Sequence, residues 1–302
     1  MITKPTVLIL GAGASAHCGY PLGSELVSRL CRLRGSSELD HIPEGWTREV
    51  AETFLTRLSR SGHYSIDAFL GKQNTGAPLG KFLITQEMKK HEDINNLFPP
   101  HNSGWYQYLF NALIGDDGPQ FEKSLLSIVT FNYDRSLEAY LHVALQNRFL
   151  LSEADAEQIL RQLPIIHVHG TLGDYPQVSY SPQCSPAELV SISSKIQIIY
   201  EIQDRDGDFC NEMFQKSHHL LQDAERIYFL GFGFHPENLR RFRFFNKDST
   251  RNKILRCTTW GLITRERAQL LTRLEEAGFT EQSFPLNCTD CWSFFEMTAY
   301  LE

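Results

Sequence analysis

The chain has 302 residues, 42% hydrophobic and 22% charged, with 29 Lys+Arg against 36 Asp+Glu and a net charge of −7. That composition excludes a disordered, collagenous or membrane-spanning chain and suits a large α/β domain with a real core. The acidic balance argues against direct nucleic-acid binding, since the only dense basic run is Arg240-Arg241-Phe242-Arg243.

The first element is the apolar run Val7-Leu8-Ile9-Leu10, cut off by Gly11. It is too short for a signal-peptide core and has the form of a strand buried on both faces of a parallel sheet. No stretch is long and apolar enough to span a membrane, so the expected compartment is the cytoplasm. The seven cysteines are irregularly spaced, as in a reducing compartment. Cys288 and Cys291 form a lone C-x-x-C pair without the second pair of a structural zinc site, so no metal is expected.

Residues 24–34 have helical spacing, and residues 36–120 repeat their apolar positions at three and four with no buried strand among them. This predicts an α-helical insertion. Its cluster Trp105-Tyr106-Gln107-Tyr108 reads either as satellite core or as an aromatic interface anchor. A second buried strand is predicted at 125–131, followed by a helix carrying Leu137, Tyr140, Leu141, Ala144 and Leu145. Ser152 and Asp155 suggest a capping box opening the next helix. Further strands are predicted at 164–168, 227–230 and 253–259, and a last helix at 265–276 that stops at Gly278. The expected fold is a single α/β domain over 1–302, a Rossmann-like parallel sheet with helices on both faces, interrupted by the insertion.

Ligands in such sheets bind beyond the carboxyl ends of the strands, so the residues ending each strand matter. The first strand ends in Gly11-Ala12-Gly13-Ala14-Ser15-Ala16, a G-x-G-x-x-[G/A] turn between a strand and a helix, which suits a phosphate at the helix N-terminus. The second ends in Thr130-Phe131-Asn132-Tyr133-Asp134, where Asp134 reads as a site residue or as the cap of its helix. The third ends in His167-Val168-His169-Gly170. Two histidines at i and i+2 on a strand share a face, which allows a metal pair in principle, but a single catalytic or core histidine fits better. The fourth ends in Gly231-Phe232-Gly233-Phe234-His235-Pro236-Glu237. Four such strand ends together predict one site.

This set resembles the sirtuins. Gly11-Ala12-Gly13-Ala14-Ser15 with Gly19-Tyr20-Pro21 is similar to the sirtuin G-A-G-x-S and G-I-P. Thr130-Phe131-Asn132-Tyr133-Asp134 is similar to T-Q-N-x-D, and His169-Gly170 to the catalytic H-G. The resemblance covers residues 5–30 and 125–260. Leu22-Gly23 replaces the family's acidic residue and F-R, and the four-cysteine zinc module is absent. These departures resemble the bacterial sirtuin-like NADases of antiphage defence rather than the protein deacylases. The resemblance implies an NAD+ glycohydrolase with NAD+ as substrate. It implies Asn132 and His169 as catalytic residues, and Gly11, Ala12, Gly13, Ser15, Pro21, Thr130, Asp134, Gly231 and Gly233 as the NAD+-binding set. It also implies activation through a homo-oligomer or a regulatory partner protein. The alternatives are a catalytically silent nucleotide-binding module in a larger complex, an NAD-dependent deacylase, and a dehydrogenase. The last would require an acidic strand end about 20 residues past the glycines.

Overall fold

The computed structural model describes residues 2–63, 65–71, 76–99, 104–115, 118–119, 121–198, 212–235, 238–239, 253–276, 289–297 and 301. The basic run at 240–243, Pro236, Glu237, Gly278 and Cys288 lie outside them.

All five expected strands are present: β1 (Thr6–Leu10), β2 (Leu126–Thr130), β3 (Ile165–His167), β4 (Arg226–Leu230) and β5 (Ile254–Cys257). They form one parallel sheet in the order β3-β2-β1-β4-β5. Leu10 lies opposite both Thr130 and Leu230, and Thr130 lies opposite His167, so the first four strands end level. The chain winds outward from β1 in one direction and then in the other. The crevice where that direction reverses opens between the ends of β1 and β4.

The continuous apolar runs follow from the sheet's two covered faces. Leu8, Leu10, Ile128 and Leu230 join the larger core with the helix α1 (Gly23–Arg32) and α7 (Ser136–Phe149). Val7, Ile9, Val129 and Phe229 pack on the other face with α10 (Glu212–Asp223) and α11 (Thr264–Glu276). Between α1 and β2 lie α2 (Arg48–Arg60), α3 (Ile66–Leu70), α4 (Ala77–Lys89), α5 (Ile94–Leu97) and α6 (Gly104–Leu113). That region is helical as expected, except for a two-residue antiparallel pairing of Ile114–Gly115 with Gly118–Pro119. The remaining helices are α8 (Glu153–Leu160), α9 (Pro186–Ser193) and α12 (Cys291–Met297). Ser152 does cap α8, accepting from the Asp155 N–H at 3.2 Å, while the Asp155 carboxylate turns to the Ser152 hydroxyl at 2.7 Å. No helix among the described residues is long and apolar enough to cross a membrane.

The aromatic cluster of the insertion is core. Trp105 and Tyr106 are each 1% exposed, and Trp105 stacks on Phe295 of α12. Tyr108 is half-buried, stacked on the same ring. A buried charged cluster fastens the insertion to the sheet. Arg135, 1% exposed, holds the Glu92 carboxylate through both Nε and Nη2, and Lys89 pairs with the same group. The remaining guanidinium N–H groups reach the carbonyls of Gly173, Val178 and Ser179, so the buried charges are fully bonded.

The turns after β1 and β4 touch backbone to backbone. A Cβ on Gly231 would lie 2.1 Å from the Ala14 nitrogen, and its φ is +58°. Gly231→Ala is therefore expected to cost about 3 kcal/mol or more, through strain and forced separation of the turns. Gly233, whose Cβ would meet nothing within 4 Å, should accept alanine with little change in stability. Urea midpoints of the two variants check this contrast.

Candidate functional site

The close approach of the two turns defines the site's floor. The Gly11 N–H donates to the Leu230 carbonyl at 3.0 Å and the Gly13 N–H to the Gly231 carbonyl at 2.9 Å. A Cβ at Gly11 would sit 2.6 Å from the Gly231 oxygen, and one at Gly13 2.8 Å from the Gly231 Cα. These glycines are thus required by strand-turn packing whatever binds above them. The Gly231 N–H is itself held by the Thr258 hydroxyl at 2.7 Å, just beyond β5.

The chain after Gly11 departs from the expected strand–turn–helix. Two short 3₁₀ turns, Ala12–Ala14 and Ala16–Cys18, come first, and α1 starts only at Gly23. Gly19, with φ +89°, reverses the chain, and the buried Pro21 leads into α1. Among the described residues, no long helix therefore aims its N-terminus at the glycine turn. Ala12 and Gly13 are half-buried at the crevice, and Ser15 is buried.

Ser15 belongs to a hydrogen-bonded chain running into the protein. Its hydroxyl donates to Asp134 Oδ2 at 2.8 Å. Asp134 Oδ1 accepts from the Ser136 N–H at 3.1 Å and from the Ser136 hydroxyl, which lies 2.6 Å from the Tyr106 hydroxyl. Burial pushes the Asp134 carboxyl above its ordinary range, against the pull of its Ser136 and Ser15 bonds. Asp134 is therefore both the tie at the start of α7 and the anchor of the glycine turn. From the insertion, the Trp105 indole N–H donates to the Ala14 carbonyl at 2.9 Å, bracing that turn from behind.

Asn132 is half-buried at the mouth of this network. Its N–H donates to the Thr130 hydroxyl at 3.1 Å, and Nδ2 donates to the Gly11 carbonyl at 3.0 Å and the Ser15 hydroxyl at 3.4 Å. A carbonyl can only accept, so Nδ2 is identified by its partner and Oδ1 is the free end of the amide. No hydrogen bond to Oδ1 is formed among the described residues.

The two histidines do not share a face. β3 ends at His167, and the chain turns through Val168 and His169. His167 points to α7, with Nε2 2.6 Å from Glu138 Oε1 and Nδ1 2.9 Å from the Asn132 carbonyl. His169 instead lies edge-on to Phe131 and Phe214, toward the α10 side, and is 4% exposed. His169 is therefore enclosed by aromatic rings. Gly170 follows with φ +77°, and a Cβ there would lie 2.1 Å from the Lys195 carbonyl, so only glycine permits this turn. Among the described residues no three His, Cys, Asp or Glu side chains converge as a metal site. Cys291 is a buried thiol, pushed up to about 12 by burial and Asp290.

The structure thus gathers Gly11, Gly13, Ser15, Thr130, Asn132, Asp134 and Gly231 into one network, with His169 beside Phe131. Gly233 and Pro21 lie outside that network. Sequence reasoning missed Ser136, Thr258 and Glu138, and read Trp105 and Tyr106 as core or interface rather than as supports of the glycine turn. Only Ser136 left a local signal, as the second residue after an Asp at a helix start. Against protein-family models the chain gives no match, and no curated protein matches it significantly.

Burial pulls the His167 imidazole down, but the Glu138 charge and hydrogen bond, with the Asn132 carbonyl, outweigh it and raise it above its ordinary 6.5. The stabilisation is complete below the unfolded value and is lost as pH rises through the folded one. Urea midpoints are expected to fall as pH rises above about 6.5. The fall should be visibly smaller in His167→Gln.

Proposed function

We propose that the chain is an NAD+ glycohydrolase, releasing nicotinamide and ADP-ribose. The observation that carries this reading is the presentation of Asn132. Its amide nitrogen is tied to the glycine turn at the switch crevice and its Oδ1 is left as a fixed acceptor. Cleavage of the C1′–N bond sends the bonding pair to the pyridinium nitrogen, and nicotinamide leaves neutral. The oxocarbenium-like ribose is captured by water, which gives up a proton. A rigid acceptor that orients the ribose hydroxyls or the water is the group this reaction needs, because the leaving group is already activated. His169 would take the proton or polarise a ribose hydroxyl, as an imidazole can near neutral pH. No metal ion enters this scheme. The likeness of the strand-end motifs to the defence NADases supports the same substrate and the reading of the enzyme as an NAD+-depleting effector.

Unrestrained NAD+ hydrolysis would drain a cell, so the enzyme is held at low turnover until it assembles with copies of itself or with a regulatory partner protein. A second reading, a silent nucleotide-binding module, is favoured by one observation: Asn132 also performs the structural task of tying down the Gly11 carbonyl.

Asn132→Ala and His169→Ala are each expected to abolish nicotinamide release, measured by chromatography after incubation with NAD+, with the far-UV circular dichroism unchanged. Activity should survive EDTA. Loss of the fold in Asn132→Ala, or NAD+ binding without turnover in the assembled wild type, would favour the silent module. Turnover per chain should rise steeply with protein concentration or added partner. A monomer turning over at full rate and unaffected by dilution would defeat the assembly requirement.

A further inference from the structure

We infer that Glu138 and His167 form a positioning dyad that sets the orientation of Asn132 and, through it, the turnover of the site. The inference rests on the reading of Asn132 as the group that orients the reacting ribose.

Each polar group of Asn132 except Oδ1 has a partner. Thr130 takes the N–H, Gly11 and Ser15 take Nδ2, and His167 Nδ1 meets the main-chain carbonyl at 2.9 Å. The other three contacts are neutral. Only the dyad carries charge, and its side chains are 12% and 15% exposed, so water screens the pair weakly.

The chemistry of the acceptors defines the state of the ring. A peptide carbonyl cannot donate, so Nδ1 must carry a proton to bond it. A carboxylate cannot donate, so Nε2 must carry one as well. His167 is therefore an imidazolium, kept charged by Glu138 and consistent with its upward displacement against the effect of burial. When it loses one proton, a single N–H remains for two acceptors, and the charged carboxylate is the stronger. The Asn132 carbonyl then faces a nitrogen lone pair in place of a donor. The peptide carrying Asn132 loses its clamp, and Oδ1 loses its fixed direction.

Among the described residues, the strongest charges acting on His167 come from one side. Glu138 faces it from α7, with Asp134 beyond it in the turn before that helix. His169, two residues on, turns toward Phe131 and Phe214. The titratable groups of α10, which are Glu212, Lys216, His218, His219 and Asp223, belong to the helix packed on the other face of the sheet.

The dyad touches no reacting atom in this account, so its signature differs from that of a catalytic base. In the full-length protein labelled with ¹⁵N-histidine and ¹³C′-asparagine, the His167 ring is expected to be doubly protonated at neutral pH. The Asn132 carbonyl carbon should shift in step with deprotonation of that ring. In Glu138→Gln, ring and carbonyl should titrate together at lower pH. The alkaline limb of nicotinamide release should move to the same lower pH, with kcat reduced roughly tenfold on that limb and KM for NAD+ within about twofold.

A ring that is neutral at neutral pH, or an Asn132 carbonyl indifferent to its titration, would overturn the dyad. So would a rise in KM with kcat unchanged. The wild-type titration stands alone if Glu138→Gln fails to fold. If the wild type releases no nicotinamide under any assembly condition, the hydrolase reading fails. The coupled ring and carbonyl titrations then still decide whether the clamp exists.

Discussion

Two glycine turns pressed together without side chains between them are the constraint on which the site depends. Gly13 and Gly231 approach so closely that a single Cβ at Gly231 would overlap the neighbouring backbone. This contact allows the Gly11 and Gly13 N–H groups to continue the β1–β4 ladder beyond the strands themselves. The Gly11 carbonyl is left facing β2, within reach of the Asn132 amide. A bulkier turn would force β1 and β4 apart and shift the turn whose Gly11 carbonyl Asn132 holds, so packing and functional geometry are one arrangement.

The insertion is part of that arrangement. Trp105 braces Ala14, and Tyr106 closes the chain of hydroxyls running from Ser15 through Asp134 and Ser136. Glu92 clasps Arg135, the residue directly after Asp134, and is itself paired with Lys89. Buried ion pairs are a weak source of net stability, but removing one partner strands the other's charge, so such a cluster strongly specifies position. The helices of the insertion are therefore rigidly referred to the turn that carries Asn132 and Asp134. Contacts made on their outer surface act on helices joined to the site by hydrogen bonds and buried charge.

Local patterning was enough to read the sheet. β1 is apolar from Val7 to Leu10 and β2 is mostly so because helices cover both faces, and a run of five buried residues ending in glycine, as in β1, has few other readings. The helical character of 36–120 followed from its three-and-four spacing for the same reason: periodicity records which side of an element meets the core. Residues at strand ends were legible because parallel strands bring their carboxyl ends to one edge, so a chain-order list of those ends is also a spatial one.

The partners across that edge were not legible. Helical spacing shows that Glu138 lies in α7, but not that its carboxylate meets His167, 29 residues later, in a neighbouring strand turn. Strand alternation put His167 and His169 on one face. The strand ends at His167, and the turn carries His169 toward Phe131 and Phe214 instead. The glycines of the first turn fit a phosphate pattern, yet the structure shows that their first obligation is to Gly231, more than 200 residues away in sequence. Sequence alone determined the periodic elements and the residues that end them, because burial on a face is a local, repeating demand. Tertiary structure decided which polar atoms meet, because a hydrogen bond depends on ångström-scale approach between segments whose separation in sequence carries no information about it.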